Sequence, residues 1–112
     1  MKIIRAKEAE SIKNPRNVNV SKLYDTEHAQ VMHITLKPGE SLKKHVTPVD
    51  VFFYVLEGVG QVEIGDERHD VAADTLIDSP AKIPHCWYNN SDKVVRILVV
   101  KVPRPTETTR LL

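Results

Sequence analysis

From residue 29 to residue 102 the chain is a succession of short runs of alternating apolar and polar residues. Each run is cut off by a glycine, proline, asparagine or aspartate, and no helical period is long enough to compete. Successive side chains of a strand point to opposite faces. A period of two with evenly spaced turns therefore points to an antiparallel sandwich or barrel. Residues 30–37 put Met32, Ile34 and Leu36 on one side and Val31, His33 and Thr35 on the other, and Pro38-Gly39 ends the run. Residues 42–47 form a second extended segment, and residues 50–56, apolar on both sides, form a third expected to be buried on both faces. Residues 60–64 and 67–71 read as a hairpin about Gly65-Asp66, where glycine adopts a positive φ without steric cost. Short runs at 75–77 and 85–89 follow, separated by a turn expected at Asp78-Ser79-Pro80, and residues 94–102 are the longest apolar strand.

The two ends are less regular. Residues 1–28 are expected to form an N-terminal arm, with a short strand at 1–4, good helix formers over 6–12, a break at Asn14-Pro15 and a strand hint where Val18 and Val20 alternate with Asn17 and Asn19. Residues 29–103 make the barrel, and residues 104–112 are a polar tail expected to fray. A chain of 112 residues is one domain and gains from an oligomer interface. The outward row Phe52, Tyr54 and Leu56 needs cover, and a homodimer through it, or an arm laid across it, would supply that cover.

Composition removes several function classes. Net charge is +1 with no basic block, so nothing favours a nucleic-acid partner. No apolar run approaches the ~20 residues needed to span a membrane, and the N-terminus has no signal-peptide pattern. The lone Cys86 has no internal disulfide partner, which suits a reducing cytoplasm.

Two stretches hold the candidate chemistry. Residues 39–58 open on Gly39, pass His45 and close on Gly58; residues 79–89 run from a proline turn through His85 to Asn89. Strand parity places Thr47 with His45, Phe53 with Val51, and Trp87 with His85, so these six are the candidate pocket. Together they resemble the small single-domain cupins, a jelly-roll (double-stranded β-helix) family. Its first motif is G-x5-H-x-H-x3-E-x6-G, matched at Gly39, His45 and Gly58; its second is G-x5-P-x-G-x2-H-x3-N, matched at Pro80, His85 and Asn89. The resemblance implies an all-β antiparallel jelly-roll barrel over residues 30–102 and a dimer.

In metal-binding cupins the ligands are the two histidines and glutamate of the first motif and the histidine of the second. Here those positions carry His45, Thr47, Val51 and His85, while the second motif's two glycines fall on Asp74 and Lys82. Half of the implied ligand set is missing. A bulge that turned Asp50 inward would complete His45, His85 and Asp50, a two-histidine, one-carboxylate group suited to Fe, Mn, Ni or Zn; otherwise Asp50 caps a turn.

Three functions follow: a metal-free small-molecule binding module, a metal-dependent dioxygenase- or isomerase-like enzyme, and a metal-free enzyme using His45 or His85 as acid–base. The first accounts for the intact turns and the missing ligands together, and carries the expectation of no cofactor. His28, His33 and His69 are expected at the surface, Cys86 as a small hydrophobe between the sheets, and Lys43, Lys44 and Lys82 near the rim.

Overall fold

A computed structural model describes residues 1–12, 18–106 and 110–112. The Asn14-Pro15 break, Asn17 and residues 107–109 of the tail lie outside the described residues. The strands are β1 (Ser11–Ile12), β2 (Asn19–Asp25), β3 (Gln30–Leu36), β4 (Ser41–Val46), β5 (Asp50–Glu57), β6 (Val59–Ile64), β7 (Glu67–Ala72), β8 (Leu76–Ser79), β9 (His85–Tyr88), β10 (Val95–Val102) and β11 (Arg110–Leu111). They form a six-stranded sheet in the order β1-β2-β3-β10-β5-β8 and a five-stranded sheet in the order β11-β4-β9-β6-β7, with every pairing antiparallel. These are the two antiparallel sheets expected from the alternation, arranged as the jelly roll that the resemblance implies. No described helix is long and apolar enough to cross a membrane.

The period-2 pattern decides the core. Ile34 and Leu36 of β3, Val51, Phe53 and Val55 of β5, and Val95, Ile97 and Val99 of β10 meet between the sheets with Val62 and Trp87 from the opposite sheet. Residues 50–56 differ from expectation on their other face: Phe52, Tyr54 and Leu56 are only half-buried, because that face is the outside of the six-stranded sheet.

Local order departs from the expected elements in four places. Residues 1–4 form no strand, and Ala6–Glu8 form a single 3-10 turn. β1 and β2, from the stretch expected to be an arm, are strands of the six-stranded sheet. Asp78 and Ser79 are not a turn; they pair with Phe52 and Val51, so the turn begins at Pro80. The described end of the tail is not frayed: Arg110 and Leu111 pair with Val46 and His45, and the Leu112 N–H donates to the Lys44 carbonyl at 3.1 Å.

Two turn positions show why the frame tolerates the missing glycines. Asp74 and Lys82 hold φ of 65° and 67°, the left-handed conformation that glycine adopts freely. Each is tied down by its own backbone: Asp74 N–H donates to the Val55 carbonyl at 2.8 Å and Lys82 N–H to the Thr47 carbonyl at 2.9 Å. The second bond clips the loop before β9 to the end of β4 and so sets His85 beside His45.

Candidate ligand site

β4 and β9 are neighbours, and after a register slip between Leu42 and His45 the ladder pairs His45 with His85. Both rings point into the barrel, His45 8% and His85 2% exposed. Their Nε2 atoms lie 3.0 Å apart, with the rings nearly perpendicular. His45 Nδ1 is 2.7 Å from the Lys43 carbonyl, which only accepts, so that nitrogen carries the proton and Nε2 keeps its lone pair. His85 Nε2–H therefore donates to His45, and His85 Nδ1 accepts from the Ser79 hydroxyl at 2.7 Å. The result is one directed chain: Ser79 to His85 to His45 to the Lys43 carbonyl.

Phe53 sits edge-on to both His85 and Trp87, with ring centroids 5.2 and 5.4 Å apart. This apolar packing removes His85 from water. Burial first, then His45, then the charge of Lys101, pushes its pKa down to about 3. His85 is therefore neutral at ordinary pH and serves as a hydrogen-bonding group.

Lys101 was not among the expected pocket residues. It lies on the inward side of β10, after Val95, Ile97 and Val99, and its register partner Val51 is itself paired with Ser79. Burial lowers its pKa. Strand parity in β10 carried this signal, since Lys101 is the one charged residue on the apolar side of that run. Ser79, beside Pro80, has the sequence signature of a turn, which hides its place on β8 opposite Val51.

Two further inward groups are unusual. Thr47 and Trp87 are 1% and 0% exposed, and neither Thr47 Oγ1 nor Trp87 Nε1 has a hydrogen-bond partner among the described residues. The benzo edge of Trp87 lies over Gly60, where an added Cβ would come within 2.9 Å of Cζ3. The opposite, N–H-bearing edge is thus turned away from β6. Thr47 and Trp87 flank the histidine pair along β4 and β9.

Residues 32–101 match the family model described as Cupin domain. The chain is a cupin. An uncharacterised protein of Methanocaldococcus jannaschii is 30% identical to this cupin over 87 residues, covering 77% of this chain and 75% of that one. A crystal structure from Thermus thermophilus is 31% identical, with a TM-score of 0.81 over 94% of this chain and 100% of the other. The polyketide cyclase RemF of Streptomyces resistomycificus is 20% identical, with a TM-score of 0.84 over 100% of this chain and 85% of its own. A predicted oxalate decarboxylase of Thermotoga maritima is 21% identical, with a TM-score of 0.77 over 99% and 100%. The last two share the fold with this cupin at identities too low to carry their activities over.

Many cupins hold a divalent metal, and the donor set of this cupin does not fit one. His45 and His85 supply two imidazoles, whereas a catalytic metal usually has three protein ligands. Val51 is an aliphatic core residue, and the described residues contain no cluster of three His, Cys, Asp or Glu suited to an ion. Asp50 does not complete the set. The register of β5 on β10 runs unbroken through Val51 and Asp50, so no bulge turns the carboxylate inward; it is exposed and accepts from the Ala81 N–H at 2.9 Å.

Other expected placements also shift. His28 and His69 are exposed, but His33 is buried, 6% exposed, under the arm on the outer face of β3. Cys86 is buried on the outer face of its sheet rather than between the sheets. It pairs with Glu63 and lies by Tyr88, its Sγ 3.4 Å from the Tyr88 hydroxyl. Lys44 is drawn to Glu63 at 3.1 Å on that same outer face.

Proposed function

We propose that this cupin is a metal-independent receptor for a small molecule, bound inside the barrel beside His45, His85 and Lys101. The carrying observation is the pair of buried, unpartnered polar atoms, Thr47 Oγ1 and Trp87 Nε1. A buried polar group without a partner costs roughly 1–3 kcal/mol, and a ligand with hydrogen-bonding oxygens would satisfy both. Val51, Phe53 and the ring faces of His85 and Trp87 supply the apolar walls common in such pockets. An acid–base role for His85 is disfavoured by its burial, since protonating it would break the bond from Ser79 and charge a dry site.

The test is elemental analysis of the purified protein after exposure to Fe(II), Mn(II), Ni(II) and Zn(II), followed by a thermal-shift screen of small metabolites. The expected result is less than one metal per chain, and a stabilising metabolite whose effect disappears in Thr47→Val or Trp87→Phe. A stoichiometric metal that is lost in His45→Ala and His85→Ala would overturn the proposal.

The same reading includes a homodimer. It is supported by the outer rows of the six-stranded sheet, where Tyr54 is opposite Leu98 and Phe52 opposite Val100. Light scattering on the eluted protein checks it: a monomer mass at micromolar concentration would reject that part.

A further inference from the structure

The outer face of the six-stranded sheet changes character along the strands. Its Phe52 row is apolar, the Tyr54 row turns polar where Leu98 gives way to His33 and Ser21, and the next cross-strand row is polar over four strands. Asn19 of β2 is opposite Thr35 of β3, Thr35 is opposite Arg96 of β10, and Arg96 is opposite Glu57 of β5. Ser21 and His33 pair beside this row and are 5% and 6% exposed. The N-terminal segment lies over them and brings Arg5 and Lys7 to the same cavity, of about 530 Å³.

Arg96 is held by two neighbours. Its Nε–H donates to His33 Nε2 at 3.1 Å, which fixes His33 as a neutral acceptor, and its Nη1 lies 3.4 Å from Glu57 Oε1. Nη2 makes no hydrogen bond among the described residues. Three cations, Arg5, Lys7 and Arg96, line the cavity. Arg96 is paired with Glu57 at 3.4 Å and Arg5 with Glu8 at 3.7 Å, both of these contacts being solvent-accessible enough for an anion to compete with them. Ser11, Ser21 and Thr35 hydroxyls and the Asn19 amide are the other polar walls. Charged donors approaching from several directions suit an anion with several acceptor oxygens better than a planar two-oxygen carboxylate.

We infer that this cavity is a second binding site, separate from the barrel interior, that holds the phosphate group of a small phosphorylated ligand between Arg96 on the sheet and Arg5 and Lys7 on the arm.

The experiment titrates the full-length protein with inorganic phosphate and, at matched ionic strength, with acetate. It follows the Arg96 Nε–H and His33 Cε1–H resonances by NMR. Phosphate should give a saturable shift of both and acetate should not. Arg96→Gln should weaken the phosphate response by about tenfold, the usual scale for losing one charge-assisted donor. The double variant Arg5→Gln/Lys7→Gln, which leaves the sheet untouched, should weaken it comparably. A linear, unsaturable drift, equal responses to both anions, or wild-type binding in the double variant would overturn the inference. So would a phosphate-blind cavity whose arm variant lowers the mass in solution, because the arm would then be covering a second copy of the chain.

Discussion

Gly58 and Gly39 have almost the same backbone, φ of +82° and +83°, and very different surroundings. An added Cβ at Gly58 would sit 2.4 Å from the Val94 carbonyl oxygen and 3.2 Å from Val95 Cα; at Gly39 it meets nothing within 4 Å. For an L-residue the left-handed conformation costs roughly 1–2 kcal/mol. Alanine recovers roughly 0.4–1 kcal/mol of that by restricting the unfolded chain. Gly39→Ala should therefore destabilise by about 1 kcal/mol. Gly58→Ala adds the displacement of a backbone that cannot rotate away, on the order of 1–3 kcal/mol as for an overpacked core, for a total of about 3 kcal/mol. At ~2.1 cal/mol/K per residue over 112 residues, each kcal/mol lowers Tm by about 4 °C. The expected losses are thus about 4 °C for Gly39→Ala and about 12 °C for Gly58→Ala, read by differential scanning calorimetry with the unfolding slope in urea unchanged. If the two variants lose the same Tm, conformation alone governs these turns and the argument from the close approach to β10 is wrong.

The converse applies at Lys82, which holds φ of 67° without being glycine. Lys82→Gly should raise Tm by roughly 2–4 °C, since the anchoring N–H to the Thr47 carbonyl is kept; a lower Tm would show that the lysine side chain matters more than its backbone. Ser79→Ala removes the donor to His85 Nδ1 and leaves a buried nitrogen unsatisfied, a loss of roughly 1–3 kcal/mol. Nitrogen-15 spectra should show the His85 Nδ1 resonance shifted by the lost hydrogen bond while Nε2 stays protonated; an unshifted Nδ1, or a proton moved to Nδ1, would refute the directed chain. Acidification should destabilise the protein between the ordinary histidine pKa of 6.5 and about 3. Over that window the unfolded chain binds a proton at His85 that the folded chain refuses, so the stabilisation is complete above 6.5 and falls by up to about 1.4 kcal/mol per pH unit. His33, also held below its ordinary value by burial and Arg96, acts in the same direction. Urea titrations from pH 7 to pH 4 measure the slope, and a profile that is flat in the wild type, or as steep in His85→Gln, would contradict it.

Much of the barrel was legible because the side-chain period of a strand is a strong signal wherever one face is dry. Met32, Ile34 and Leu36, or Val51, Phe53 and Val55, can be sorted to one side without coordinates. What escaped was set by long-range pairing. Ser79 sits beside a proline and reads as a turn, yet Val51 offers it a ladder partner. Residues 110–111 are too few to announce a strand, and they become one only because the edge of β4 is open to them. His33 alternates correctly to the outside, but outside does not mean exposed once Arg96 and the arm cover it. Lys101 is sortable by the same rule: parity along residues 95–101 keeps it inside beside Val51.

The histidine pair shows how two imidazoles arrange themselves where Thr47 and Val51 stand at the other two positions of the cupin motif. The two Nε2 atoms lie 3.0 Å apart, close enough that their lone pairs repel unless one nitrogen carries a proton. The surroundings decide which. The Lys43 carbonyl can only accept, so it assigns the Nδ1 proton to His45; the hydroxyl of Ser79 is then free to donate to His85 Nδ1, and the shared proton belongs to His85. Nothing in this chain needs a charge, and Phe53, Trp87 and nearby Lys101 all oppose one on His85. The arrangement is therefore a neutral, preset array of donors and acceptors. On the proposed reading such an array suits recognition better than proton transfer, because burial keeps the His85 imidazole neutral, and its hydrogen-bonding face the same, down to about pH 3.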